Sequence, residues 1–181
     1  MGQYTYEYLN RSIDAYKRKI KEQTEILEKL SFEDSLTGLF NRNKFSQVMQ
    51  SFETDSVSHL GVASIDLNEL KKVNDRMGHS AGDDLLRRTA EHISRVFPGR
   101  SYRIGGDEFL VIDTESEESA FRKAVSAMQA SMAQDGISVS MGISWRCSRC
   151  SIKEQCDEAD LLMYREKAEF YSSYDNDRRK S

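Results

Sequence analysis

The sequence predicts an α/β chain, an α+β sandwich in which helices flank a central, mostly antiparallel sheet and a long N-terminal coiled-coil helix leads in. Three observations carry this: a heptad seam over the first thirty residues, apolar runs and helical stripes alternating as βααββαβα, and a Gly-Gly pair between two apolar runs, as in a hairpin turn. That order pairs neighbouring strands antiparallel and leaves the helices to cover the sheet.

The seam consists of Tyr6, Leu9, Ile13, Tyr16, Ile20, Gln23, Leu27 and Leu30, spaced by threes and fours, with Arg11, Asp14, Lys17, Lys21 and Glu25 on the remaining surface. It reads as a parallel coiled-coil stalk or as one amphipathic helix folded back on the domain. Four heptads leading straight into the rest of the chain favour the stalk. A helix is expected near residues 42–52, then the strand Leu60-Gly61-Val62-Ala63-Ser64-Ile65, ending at Asp66. Helices follow over 69–76 and 82–97, the second with Leu86, Ala90, Ile93 and Phe97 on a core face and closed by Pro98-Gly99. Beyond the hairpin come a helix over 116–134 carrying Phe121, Val125, Met128 and Met132 on one face, a strand over 137–144 and a final helix over 157–170. The expected organisation is a signalling helix at 1–32, one enzyme-sized domain at 33–172 and a polar tail at 173–181.

A chain of 181 residues with ordinary apolar content can bury one sizeable core. The net charge of −4 argues against a nucleic-acid partner, because such domains carry a basic surface. No apolar run approaches membrane-spanning length and no signal pattern opens the chain, so no membrane contact is expected. A cytoplasmic location follows, either alone or as the cytoplasmic part of a larger membrane-anchored protein. The three cysteines fit a reducing compartment. Cys147, Cys150 and Cys156 lack a nearby fourth zinc ligand, since His59, His79 and His92 are all distant in sequence, so a plain surface loop is expected there.

The stretch Arg103-Ile104-Gly105-Gly106-Asp107-Glu108-Phe109-Leu110-Val111-Ile112 places two glycines and two adjacent acids at a hairpin tip. Gly105 and Gly106 are expected to supply the positive φ of a tight turn and to let a bulky polyanion approach the backbone. Asp107 and Glu108 crowd negative charge that a hard divalent cation would relieve, and Mg²⁺ favours a few carboxylates plus substrate phosphate oxygens. Asp66, at the carboxyl end of a buried strand, is placed to share that metal. Taken singly, Gly-Gly-Asp-Glu is also compatible with a solvated turn and Asp66 with a helix N-cap.

Three separated motifs resolve the ambiguity. Asp34-Ser35-Leu36-Thr37-Gly38-Leu39-Phe40-Asn41-Arg42, then Asn74-Asp75 with Gly78-His79 and Gly82-Asp83, then the glycine-acid hairpin, occur in one order and spacing. In these the chain resembles the GGDEF family, the diguanylate cyclases, from about residue 33 to about residue 167. The resemblance implies a fold similar to the palm of nucleotidyl cyclases and polymerases. It also implies a reaction, in which two GTP condense to cyclic di-GMP and two pyrophosphates across a homodimer, with two Mg²⁺ per site expected and Mn²⁺ as an alternative. By resemblance the metal ligands are Asp66, the carbonyl of Leu67, Glu108 and Asp107, and Asp107 is also the candidate for deprotonating the 3′-hydroxyl. Asn74 and Asp83 match positions that read the guanine edge, and His79 a position near the substrate, where helix capping or packing is an equal reading. Lys71 and Lys167 match phosphate-binding lysines, and Gly105 and Gly106 line the substrate.

The chain departs from the family pattern in places. Leu70 stands for a usual phenylalanine and Asn68 for a usual aspartate, changes expected to tune rather than abolish activity. Tyr171 stands where a phosphate-binding arginine is common, which would weaken triphosphate binding by about 1.5–3 kcal/mol unless a neighbour such as Arg165 substitutes. Val96-Phe97-Pro98-Gly99 occupies the place of the Arg-x-x-Asp product-inhibition motif, so that feedback is expected to be absent. A stalk would raise the local concentration of one domain near another and couple it to an upstream sensor. The competing reading is a degenerate, non-catalytic GTP-binding module.

Overall fold

The central strand β1 (Leu60–Leu67) is buried along its whole length because it is paired on both edges and covered on both faces. The computed structural model describes residues 2–52, 59–147 and 151–178, with side chains between 11 and 173 of these. Within them the elements run α1 (Gly2–Phe32), α2 (Arg42–Phe52), β1, α3 (Leu70–Met77), α4 (His79–Val96), β2 (Ser101–Arg103), β3 (Glu108–Asp113), α5 (Glu118–Gln134), β4 (Val139–Arg146) and α6 (Ile152–Arg178). The sheet order is β2-β3-β1-β4, with every pairing antiparallel. The expected sandwich is therefore present.

Alternation along β1 sorts the core. Ala63, Ile65 and Leu67 face Leu86, Ala90, Ile93, Phe121, Val125 and Met128, the inner stripes of α4 and α5. Leu60 and Val62 face the other way, toward Tyr102, Leu110, Ile112 and the α6 residues Ile152, Cys156 and Ala159. Gly142 on β4 permits the close approach of α6: a Cβ there would collide with the Ala159 carbonyl and the Met163 amide. Glu166 of α6 accepts from the Met141 amide at 3.0 Å, occupying a donor on the open edge of β4.

The exit from α1 is tied to the sheet rather than loosely linked to it. Asn41 donates through its side-chain amide to the carbonyls of Ser31 and Glu33 at 3.0 and 3.1 Å. Between them Asp34 to Gly38 forms a turn that requires a left-handed residue, and Gly38 supplies it at φ 72°. Phe40 then pairs with β2: its amide donates to Ser101 and its carbonyl accepts from Arg103 at 2.7 Å.

Several expectations need correction. Gly105 and Gly106 are not among the positive-φ residues; what Gly105 supplies is room, since a Cβ there would strike the Glu108 carboxylate. The final helix starts five residues earlier than expected, behind Ser151, and continues past residue 170 because Ser172 and Ser173 return their hydroxyls to the Glu169 carbonyl without breaking the turn. Cys156 is thus a buried helical residue, not part of a surface loop, and burial pushes its thiol up to about 12. Cys147 is exposed, and Cys150 lies outside the described residues. On α1, Ile13, Tyr16, Ile20, Leu27 and Leu30 are 48–75% exposed, so the seam is not folded back on the domain; the side chains of Tyr6 and Leu9 lie outside the described residues.

Candidate active site

The site gathers where β1 ends. The register places Asp66 directly opposite Glu108, so strand pairing itself puts the two acids on one face. Asp66 is 2% exposed, and its Oδ2 accepts from Lys167 of α6 at 2.6 Å. Its Oδ1 is buried without any hydrogen-bond partner. Burial pushes the Asp66 carboxyl above the ordinary aspartate value, the charges of Asp107 and Glu108 push the same way, and Lys167 only partly opposes them. For Lys167 burial works against the charge, but the hydrogen bond and charge of Asp66, with Asp107 behind it, outweigh this and raise its pKa. Both shifts express one fact: Asp66 and Lys167 are paired in a partly buried place where the neighbouring acids add negative charge.

The turn after β1 is held by buried amide chemistry that sequence reasoning missed. Asn68 donates through its side chain to Ser138 Oγ at 3.1 Å and accepts from Ser140 Oγ at 2.9 Å, while its backbone amide donates to the Ser138 carbonyl. The residue thus anchors the corner to the start of β4. Glu69 follows at φ 62°, a left-handed conformation that a residue with a side chain seldom adopts. It stands at the start of α3 with no side-chain cap, and its carboxylate takes Lys72 at 2.5 Å. Its amide donates to the Tyr171 hydroxyl at 3.4 Å.

The hairpin tip is braced from the α1 exit. Arg103 donates to Asp34 Oδ1 at 3.0 Å and to the Gly106 carbonyl at 2.7 Å. Thr37 donates to the same Asp34 oxygen through both amide and hydroxyl. Burial alone would raise the Asp34 carboxyl, but the Thr37 and Arg103 hydrogen bonds hold it below the ordinary value. The Leu67 amide donates to the Asp107 carbonyl at 3.0 Å, fixing the tip against the end of β1. An arginine two residues before Gly105 was the only sequence signal for this brace.

The remaining expected residues divide. Asn74 on α3 has a buried, unpartnered Oδ1, and Gly82 is small where a Cβ would meet that oxygen; Asp83 follows on α4 and is partly buried. His79 and Lys71 are exposed, at the first residue of α4 and on α3. Arg165 is exposed and two residues from Lys167, about 200° around the helix, so it does not stand in for a cation at position 171. Glu108 also lines a cleft of about 390 Å³ with Ser64, Ile104, Asp160, Met163 and Tyr164.

A divalent cation suits this donor set on one observation: the orphaned Asp66 Oδ1, buried beside an excess of negative charge. Among the described residues no three acidic, histidine or cysteine side chains already converge on one point. Asp66, Glu108 and the carbonyl of Leu67 would complete a set with substrate oxygens.

The sequence model of the family described as "Diguanylate cyclase, GGDEF domain" matches residues 31–171. The chain belongs to this family. It is 32% identical over 151 residues to the diguanylate cyclase DgcS of Shewanella oneidensis, covering 78% of this chain and 51% of DgcS. It is 31% identical over 176 residues to the cyclic di-GMP phosphodiesterase NbdA of Pseudomonas aeruginosa, covering 88% of this chain and 22% of NbdA. The chain therefore spans about half or less of these relatives. The crystal structure of the coiled coil and GGDEF domain of DgcB from Caulobacter crescentus, in complex with c-di-GMP, superposes with TM-score 0.74 at 24% identity, over 90% of this chain and 94% of that one, a likeness of fold. No helix among the described residues is long and apolar enough to cross a membrane.

Proposed function

We propose that the chain is an active diguanylate cyclase in which each protomer carries one GTP and turnover occurs between two facing protomers. The observation that carries this is Asp66 opposite Glu108, with one buried oxygen unpartnered and the other on Lys167. A 3′-hydroxyl oxygen of one GTP attacks the α-phosphorus of the other, the bond to pyrophosphate breaks, and the second hydroxyl repeats the exchange. Asp107 accepts the hydroxyl proton and passes it to solvent. Asp66, Glu108, the Leu67 carbonyl and Asp107 would hold Mg²⁺, or Mn²⁺, which would supply positive charge toward the triphosphate and the hydroxyl. Lys167 and Lys71 hold phosphate oxygens as point charges. Asn74 and Asp83 bind the guanine edge: the unpartnered Asn74 oxygen and the Asp83 carboxylate suit donors at N1 and the exocyclic amine. His79 borders the base, and Gly105 with Gly106 lets substrate approach the hairpin.

The exposed α1 seam pairs with a second copy, which concentrates and orients two half-sites and receives the signal of an upstream sensor in a cytoplasmic setting. Tyr171 favours the alternative, a GTP-binding module without turnover, because it brings no charge to the phosphates. The test is incubation of the purified chain with GTP and Mg²⁺ and chromatographic detection of cyclic di-GMP and pyrophosphate, beside Asp107→Ala and Glu108→Ala. Product from the parent chain and none from the variants is expected. GTP binding without product from a demonstrated dimer would replace the enzyme by the module.

A further inference from the structure

We infer that Tyr171 is a substrate-specificity residue, a neutral hydrogen-bond donor to the triphosphate whose acceptor side is taken by the Glu69 amide. The inference rests on the nucleotide reading of the site and deepens it. Tyr171 lies one helical turn beyond Lys167, so its ring emerges on the same side of α6 as the ammonium that holds Asp66. Its oxygen accepts the Glu69 N–H at 3.4 Å, from the corner between β1 and α3. The contact is long and therefore easily adjusted. Phe170 packs edge-on against the ring at 5.2 Å and an interplanar angle of 85°.

A phenol both accepts and donates. Here the acceptor side is used, and among the described residues no acceptor takes the proton, which leaves the O–H as a donor beside Lys167 and the uncapped start of α3. The Asn68 clamp on Ser138 and Ser140 holds the corner that carries the left-handed Glu69, so the acceptor side of the phenol is engaged before substrate arrives. An anion entering between Lys167 and the corner meets that proton. The consequence is recognition of the polyphosphate by direction rather than by charge: the phenol contributes a hydrogen bond without steepening the salt dependence of binding.

The test measures binding of the α,β-methylene analogue of GTP, which is not turned over, and of guanosine, to the intact chain with Mg²⁺ by calorimetry. In Tyr171→Phe the analogue should bind about tenfold more weakly, the size of one lost hydrogen bond to a charged group, with guanosine unchanged and the salt slope retained. KM for GTP should rise by a similar factor, with kcat held. Tyr171→Arg should regain the affinity with a steeper salt slope. Equal or tighter analogue binding by Tyr171→Phe would overturn the inference by making the phenol a bystander or a competitor. Parallel loss of guanosine would overturn it by making the hydroxyl merely structural. If the unaltered chain bound neither ligand, the nucleotide reading would fall, and this inference with it.

Discussion

Lys167 donates to Asp66 at 2.6 Å across 101 positions of sequence, joining the last helix to the end of the central strand. The side chain of Asp66 is 3% exposed and that of Lys167 27%, so removing the lysine leaves a buried carboxylate among other acids. Lys167→Ala is expected to cost about 3 kcal/mol in stability without divalent cation, as for a broken buried pair. Mg²⁺ should return part of it, because the cation takes over the neutralisation. Thermal unfolding with and without Mg²⁺ measures both, and turnover should be lost in either condition.

The pH dependence has opposite signs at different acids. Asp66 has a raised folded pKa, so its contribution to stability is full below the unfolded value of 3.8 and is lost as pH rises through the raised one. Asp113 is lowered: burial is outweighed by donors from Ser116 and Glu115 and by Arg100 at 2.9 Å. Together with the lowered Asp34, it contributes stability above 3.8 that disappears as pH falls through the folded values. Since Mg²⁺ competes with the proton on Asp66, the Mg²⁺-induced rise in Tm should vanish on acidification at a pH above 3.8, before Asp34 and Asp113 titrate. Asp66→Asn should remove that rise and leave the acid limb in place.

Arg103 couples the exit of α1 to the signature tip through Asp34 and the Gly106 carbonyl. Arg103→Ala is expected to destabilise the domain by about 2 kcal/mol through lost charge-assisted hydrogen bonds. The fall in kcat should be larger than that loss of folded protein explains, because Asp107 and Glu108 follow the freed tip. Circular dichroism and turnover on the same sample separate the two.

Gly142 lets the backbone of α6 lie against β4. Gly142→Ala would force α6 outward at Ala159 and Met163, a region buried against the sheet, at about 1–3 kcal/mol. Because α6 carries Lys167, a rise in KM for GTP should accompany the drop in Tm; unchanged KM would mean that Lys167 tolerates the displacement.

The helices and strands were legible where periodicity was strong: α4 displays the core face of Leu86, Ala90 and Ile93, with Phe97 just past its end, and α5 that of Phe121 to Met132. The meeting of Asp66 with a hairpin acid was legible too, since the acid that ends buried β1 and Glu108, which opens β3, face each other in the antiparallel register. What escaped depends on distant chain. Nothing near Asn68 announces Ser138 and Ser140, and an asparagine read as tuning activity is in the structure a buried amide bonded to both serines. Gly105 was read for its backbone freedom, whereas its smallness toward Glu108 becomes visible only when the hairpin is built. Helix ends erred because serines at 151, 172 and 173 bond back to helix backbone in ways that composition does not distinguish from loop.

The most direct measurement is the rate of cyclic di-GMP formation per protomer as protein concentration is raised, for the parent chain and for Ile13→Asp with Ile20→Asp, two exposed seam positions remote from the site. The parent should show a specific rate that climbs with concentration and levels off as dimer fills, and the double variant should bind GTP yet make almost no product over the same range. A specific rate independent of concentration in a chain shown to be monomeric by sedimentation would contradict a site completed between two protomers.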